Sequence, residues 1–311
     1  MNKQTQRVQG FILTKATMAN QNAGFDNYPR QTADGTIFAS DNSLGYTIKQ
    51  MAKAENQQLF YIKRLKLVEN KKGKTKNEKK ILQCLSLDET YEKLFGDIKT
   101  HSKDEVLENL GTCFDIRTFG AAFAVTGNNF SIHGPIQIYQ GLNMLEDTET
   151  IVMDIIAPFR NPNNEDGTQS TMGEKIVTDK AIYNFDVTIN PKNLDDFVDY
   201  GIVLTQEDVE NFKRYASLST TYYSSNSKQG CSNVMSLFVN LKEDSKKLLL
   251  PLSDFIKVKY EDETVTVDLT KLEKYLENAK DDIDNIEIFY QKDSKVEFIS
   301  NNTIEYTYRY L

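Results

Sequence analysis

Strand-like and helix-like periodicity alternate in two stretches of this chain, and a long insertion separates them. Residues 7–18 (RVQGFILTKATM) are apolar, short and bounded by the polar run 20–26, which is the pattern of a buried strand. Beyond a loop punctuated by Gly24, Pro29 and Gly35, Ser40 and Asp41 can cap a helix to about Lys53, with Leu44, Ile48 and Met51 in one stripe. Residues 58–68 (QLFYIKRLKLV) read as a second strand, and 180–190 (KAIYNFDVTIN) as a third. Thr205 then caps a helix with Val209, Phe212 and Ala216 on one side, and 232–241 (SNVMSLFVNL) closes the series as a strand. The order predicts an α+β fold: the split βαβ plan of ferredoxin-like and RNA-recognition-type domains, βαββαβ, with extra segments hung on it.

The insertions have characters of their own. A lysine-rich loop occupies 70–80 (NKKGKTKNEKK), and Ser86 to Glu89 and Ser102 to Glu105 are capping boxes that each open a short helix. Residues 114–125 and 131–138 have strand character around Gly120, Gly127 and Gly134. Residues 158–173 (PFRNPNNEDGTQSTMG) hold almost nothing that forms a core and suit a projecting loop or hairpin. The last seventy residues carry a helix with Leu269, Leu272, Leu276 and Ala279 on one stripe, then strands near 286–290 and 304–310. This gives an RNA-recognition-like domain over 1–241, interrupted by an accessory helical lobe at 66–112 and a projecting loop at 158–173. A C-terminal α/β extension at 242–311 packs on that domain.

Composition removes most chemistry. Cys84, Cys113 and Cys231 form no CxxC, and with only His101 and His133 there is little material for a metal site or a nucleophilic triad. No phosphate loop, GxSxG elbow or HExxH motif occurs, so neither a cofactor nor a metal is expected. No apolar run approaches a membrane span and the N-terminal residues lack a signal-peptide core, which fits a cytoplasmic protein. The net charge of -8 argues against a polyanion partner, yet residues 1–83 hold 15 Lys and Arg against 6 Asp and Glu. A basic first quarter on an acidic body is left to explain.

A surface for single-stranded nucleic acid needs cations, hydrogen-bond donors and rings on which bases stack. The helix at 41–53 offers Asn42, Tyr46, Lys49 and Lys53 on one side, and backbone N–H groups near Ser40 and Ser43 at its start. Asp41 competes for those N–H groups. On pattern alone, an ordinary solvated helix face explains the same residues.

Further motifs decide between these readings. Asp115-Ile116-Arg117-Thr118-Phe119-Gly120 followed by Gly134-Pro135-Ile136-Gln137 resembles the D-x-R-x-F-G and G-P-V-Q signatures of the Cas7 family, the backbone subunits of type I CRISPR Cascade effectors. Pro29-Arg30, the helix start at Ser40 to Leu44, Met172-Gly173, the run 204–208 (LTQED) and 227–230 (SKQG) fit the same family in the same order, nearest its type I-B branch. The chain departs from it in two places. Asn20-Gln21-Asn22-Ala23-Gly24 replaces an N-P-N-G-D-type loop, and Gly45-Tyr46 replaces a Lys-Arg pair.

The resemblance implies a non-catalytic scaffold whose palm, with finger and thumb insertions, polymerises head to tail along a CRISPR guide RNA (crRNA) and presents it to target DNA. Its partners would be crRNA, target DNA through the guide, copies of itself in a helical filament, and other Cascade subunits. The implied RNA-binding residues are Arg30, Ser40, Asn42, Ser43, Tyr46, Lys49, Lys53, Arg117, Gln137, Met172 and Lys228. For Arg117 a structural ion pair with Asp115 competes with that role. Two other readings stand beside this one: a type III-like nuclease using Asp26 or Asp34 to hold Mg2+, and a self-assembling structural protein without nucleic acid.

Overall fold

The computed structural model describes residues 2–69, 80–125, 127–160 and 170–311, with backbone only at 157–160 and 170–172. The lysine-rich run therefore lies outside the described residues except for Lys80, and so does 161–169 of the projecting segment. The fold is mixed α+β. In chain order its elements are β1 (Val8–Ala19), β2 (Phe38–Ala39), α1 (Asp41–Ala54), β3 (Leu65–Glu69), β4 (Lys80–Cys84), α2 (Leu87–Phe95), α3 (Lys103–Gly111), α4 (Phe114–Phe119), β5 (Gly120–Val125), β6 (Asn128–His133), β7 (Ile136–Ile138) and β8 (Gly141–Asn143). They continue with β9 (Thr150–Arg160), β10 (Ser170–Ile189), α5 (Gln206–Tyr222), β11 (Cys231–Leu241), β12 (Lys257–Glu261), β13 (Thr264–Asp268), α6 (Thr270–Glu277), β14 (Ile283–Tyr290), β15 (Val296–Ile299) and β16 (Thr307–Tyr310). Among the described residues no helix is long and apolar enough to cross a membrane.

The chain forms two compact units, one of residues 6–51, 138–188 and 213–311, the other of 1–5, 52–137 and 189–212. In the first, a large sheet runs in the order β16-β14-β11-β1-β10-β8-β2, with β9 also paired to β10. β1 and β11 are antiparallel, Val8 opposite Asn240 and Phe11 opposite Leu237. Strand alternation sends successive side chains to opposite faces. Phe11, Leu13, Ile182, Leu237, Val239, Ile286 and Ile288 therefore share one face, where Leu249, Leu252, Ile256, Leu272 and Leu276 of the C-terminal segment cover them. The other face meets α5: Lys213 Nζ bonds Asn240 Oδ1 at 2.9 Å and Glu287 Oε2 at 2.6 Å, and lies over the Phe238 ring. α1 packs beside α5, with Thr47 Oγ1 3.1 Å from Ser219 Oγ. Residues 242–311, expected as an extension on the palm, thus complete the core of this unit.

The second unit holds α2, α3 and α4, the hairpins β3–β4 and β5–β6, and a 3-10 stretch at Pro191–Tyr200. Both expected capping boxes form, at Ser86 with Glu89 and at Ser102 with Glu105. Three expectations are corrected. Residues 58–68 are a strand only from Leu65, because side chains replace the ladder before it: the Asp115 carboxylate accepts the N–H groups of Phe60 and Tyr61, and the Arg64 guanidinium donates to the carbonyls of Leu59, Phe60 and Ile62. Residues 114–125 begin as helix α4 and turn to strand at Gly120, whose φ of 79° ends the helix. At the C-terminus the strand expected from 304 starts at Thr307, since Tyr306 is turned inward to hydrogen-bond Glu273.

Because the C-terminal layer closes one sheet face, Leu272→Ala should cost about 2–5 kcal/mol, the range for emptying a buried leucine site. Urea unfolding of the variant at unchanged m-value checks this; a loss under about 1 kcal/mol would show that the layer is loosely attached.

Candidate nucleic-acid interface

The turn after β1 is the organising point. Asn20 N–H donates to Ser227 O at 2.9 Å, and the Asn20 side chain caps the next residue but one, accepting from Asn22 N–H at 3.1 Å. Asn22 Oδ1 accepts the Ser40 N–H at 2.9 Å, and its carbonyl accepts that of Arg30 at 3.4 Å. Lys228 Nζ donates to Gln21 O. Three residues, Asn20, Gln21 and Asn22, therefore gather the loop carrying Arg30, the start of α1 and the turn carrying Lys228. Asparagine suits this role, since its short amide reaches backbone groups two residues away.

Among the described residues several buried polar atoms at this point have no hydrogen-bond partner. They are Gln21 Oε1 and Nε2, Arg30 Nε and Ser43 Oγ. Gln21 is wholly buried. Buried polar groups are normally satisfied, so these atoms call for a partner from outside the chain, water or a ligand. Lys228 adds a cation there; burial depresses its pKa, partly countered by Cys231.

α1 presents the rest. Ser40 caps it as expected, its Oγ accepting the Ser43 N–H at 3.2 Å. Asp41, expected to compete for the helix N–H groups, instead accepts from the side chains of Gln140 at 2.9 Å and Asn42 at 3.4 Å. Leu44, Ile48 and Met51 are buried; Asn42, Tyr46 and Lys53 are exposed and Lys49 is half-buried. Tyr46 meets Tyr223 edge to face, centroids 5.3 Å apart and planes at 88°. Its hydrogen bond with Tyr46 first, then burial, raises the Tyr223 pKa. Sequence reading missed Tyr223, although Tyr222-Tyr223 at a helix end was a visible signal. It also missed the buried Gln21, because nothing in a polar run announces burial.

The predicted set divides. Arg30, Ser40, Asn42, Ser43, Tyr46, Lys49 and Lys228 all lie in the sheet unit, whereas Lys53, Arg117 and Gln137 fall in the other. Lys53 is one helical turn beyond Lys49 on α1. Met172 sits in β10 opposite Ile156, and its side chain lies outside the description.

Arg117 is engaged within its own unit. Its Nε and Nη2 bind both oxygens of Asp208, at 3.0 and 2.7 Å, and Nη1 donates to Gly111 O and Thr112 O. Asp208 also accepts the Thr205 N–H, so the pair ties α4 to the start of α5. The structural partner is thus Asp208, with Asp115 holding Phe60 and Tyr61. The glycines of the same motifs are packing positions too: a Cβ on Gly120 would lie 2.2 Å from Ile132 O, and one on Gly134 2.1 Å from Phe119 C. Gln137 Nε2 donates to Gly134 O at 2.8 Å. The signature residues most visible in the sequence staple a turn.

Asp26 and Asp34 form turns. Asp26 Oδ1 accepts the Tyr28 N–H at 3.1 Å, and Asp34 accepts from Thr32 Oγ1 and the Thr36 N–H, bonds that hold its carboxyl below the usual range. Among the described residues no three His, Cys, Asp or Glu side chains are grouped to hold a metal. The three cysteines are free thiols; burial pushes Cys113 up to about 12 and Cys231 to about 11.

The sequence profile of the family described as CRISPR-associated protein Cas7 matches residues 6–288. The chain belongs to the Cas7 family. Among solved structures, a chain of a "CRISPR RNA-guided surveillance complex, pre-nicking" aligns with this Cas7-family chain at a TM-score of 0.56 and 12% identity, over 95% of this chain and 96% of that one. A chain of a "CRISPR RNA-guided surveillance complex" aligns at 0.50 and 12%, over 94% of each. At such identities the likeness is one of fold. No curated protein matches the sequence.

Arg117→Ala leaves Asp208, whose side chain is only 4% exposed, without its cation and should cost about 3–5 kcal/mol. Arg117→Lys should recover little, lacking the bidentate fork. Thermal melts check this; wild-type stability combined with weakened RNA binding would make Arg117 a contact residue instead.

Proposed function

We propose that this Cas7-family chain is a non-catalytic scaffold that binds crRNA and oligomerises head to tail along it, presenting the guide for pairing with target DNA. The observation that carries the reading is the gathering of Arg30, Ser40, Ser43 and Lys228 around Asn20 to Asn22, with buried polar atoms that have no partner among the described residues. Donors and cations along one turn and one helix start suit a ribose-phosphate strand, whose recognition rests on charge and backbone rather than base sequence. The RNA-guided complexes that share the fold support the same partner, together with other Cascade subunits and further copies of this chain.

On this reading the large sheet is a ferredoxin-like, RNA-recognition-type palm. The order β11-β1-β10-β8, with α1 after β1 and α5 between β10 and β11, supports it. The C-terminal layer covers the sheet face opposite α5, so RNA would run along the strand ends and α1. β9 and β10 would carry the thumb, residues 161–169 between them lying outside the described residues, and the second unit would supply the fingers. A head-to-tail contact is heterologous and open, so the guide and capping subunits set the filament length. The motif order favours a type I-B-like branch and a cytoplasmic location. With Asp26 and Asp34 spent on turns, no observation favours the nuclease alternative.

Filter binding across a salt series tests the scaffold. With about four phosphates neutralised per copy, log K should fall by roughly three per tenfold rise in salt; a flat response would remove the cationic track. Gly45 gives a second test, since a Cβ there meets nothing within 4 Å. Gly45→Lys should stabilise the protein by about 0.7 kcal/mol through helix propensity and steepen the salt slope by about 0.7. Stabilisation with an unchanged slope would place this side of α1 away from RNA.

A further inference from the structure

The segment that joins β11 to β12 carries a feature that guide binding leaves unused. Residues 245–251 (SKKLLLP) set two lysines beside three leucines, in a region, 241–311, that holds 11 Lys and Arg against 16 Asp and Glu. The stretch has no helix or strand, and its leucines alternate: Leu249 is buried in the core, whereas Leu248 is 68% and Leu250 57% exposed. Such alternation is that of an extended chain, in which side chains two residues apart face the same way about 7 Å from each other. The segment is held in place. Leu250 N–H donates to Tyr275 Oη at 2.8 Å, Leu250 O accepts from Gln9 Nε2 at 2.9 Å, and Tyr275 stacks on Phe255 with centroids 4.0 Å apart and planes at 8°. An apolar surface fixed in this way binds without the ordering penalty of a flexible one.

Gln9 lies at the start of β1, and the turn at Asn20 is eleven residues further along. At about 3.3 Å per residue the two are roughly 35 Å apart, so the leucine surface is no part of the grip at that turn. Among the described residues neither Lys246 nor Lys247 has a carboxylate partner. Lys271, one helical turn before Tyr275 on α6, is exposed as well. Two leucines about 7 Å apart match side chains at i and i+4 of a helix, which are separated by a rise of about 6 Å. Cations with no carboxylate beside them are complemented by Asp or Glu from outside. We propose that this surface docks an amphipathic helix of a different protein chain, whose apolar side chains at i and i+4 pack on Leu248 and Leu250 and whose Asp or Glu flank meets Lys246, Lys247 and Lys271. The proposal goes beyond the scaffold reading and does not depend on it. In a filament each copy would repeat the surface, and a weak contact would gain strength by number.

Fluorescence anisotropy tests this with a labelled synthetic helix that has Leu at i, i+3, i+4 and i+7 and Glu elsewhere. The full-length chain is titrated into it, and into the same helix with Lys in place of Glu. The Glu helix should bind and the Lys helix should not. Leu248→Ser and Leu250→Ser should each weaken the Glu helix about 10- to 150-fold, the fold-change for losing a buried leucine contact. Lys246→Gln and Lys247→Gln should each weaken it about 1.5- to 5-fold and flatten its salt dependence. Since both leucines are largely exposed, the variants should melt like the parent, and their RNA affinity should be unchanged. No binding of the Glu helix, equal binding of both helices, or Glu-helix binding that none of the four variants weakens overturns the proposal. Loss of self-association in the leucine variants overturns it and gives the surface to a second copy; loss of binding to phosphatidylserine vesicles does the same in favour of a lipid surface. Loss of RNA affinity in those variants also overturns it and places the surface on the guide track. Failure of the unaltered chain to bind RNA, with Glu-helix binding intact, overturns the scaffold reading alone.

Discussion

The antiparallel pairing of β1 with β11 is the constraint from which the sheet unit is built. Nine residue pairs join them, from Val8 with Asn240 to Ala16 with Cys231. Both strands are buried on both faces, which is why neither shows the polar alternation of a surface strand. The same ladder ends with Asn20 beside Ser227, and the turn after β1 is thereby fixed against the turn before β11. Arg30, Ser40 and Lys228 come together because two buried strands end side by side.

An acidic chain can hold a polyanion if its cations are placed locally and its carboxylates are occupied elsewhere. Several of the acidic groups here are occupied: Asp41 by Gln140, Asp208 by Arg117, Glu287 by Lys213, and Glu273 by Ser300, Asn301 and Tyr306. Each caps, pairs or ties within its own unit. Asp208 and Glu287 are paired with the cations of Arg117 and Lys213, so each of these charges is offset where it stands although both count in the acidic total. Net charge alone is therefore a poor guide to the partner of this chain.

Local signals were legible in the sequence wherever a short-range rule decides the outcome. Ser40, Ser86, Ser102 and Thr205 cap helices because an N-cap depends on residues three positions apart. Strands β1 and β11 and the second half of β10 could be read from apolar runs bounded by polar ones. Where a distant side chain replaced the backbone ladder, the reading failed: nothing in 58–64 shows that the Asp115 carboxylate will take the N–H groups of Phe60 and Tyr61. The site followed the same division. α1 and its polar side were visible, whereas the buried Gln21 and the Tyr46–Tyr223 contact exist only through tertiary placement. The D-x-R-x-F-G motif pointed to the family, and in this structure its Arg117 pairs with Asp208 while Gly120 packs against Ile132.

Ultraviolet crosslinking of RNA to the full-length protein, followed by mass mapping of the modified peptides, tests the central claim most directly. Crosslinks should concentrate on residues 20–31, the α1 segment 40–49 and the turn at 225–229. Crosslinks confined to the three-stranded sheet of β12, β13 and β15 would contradict the account.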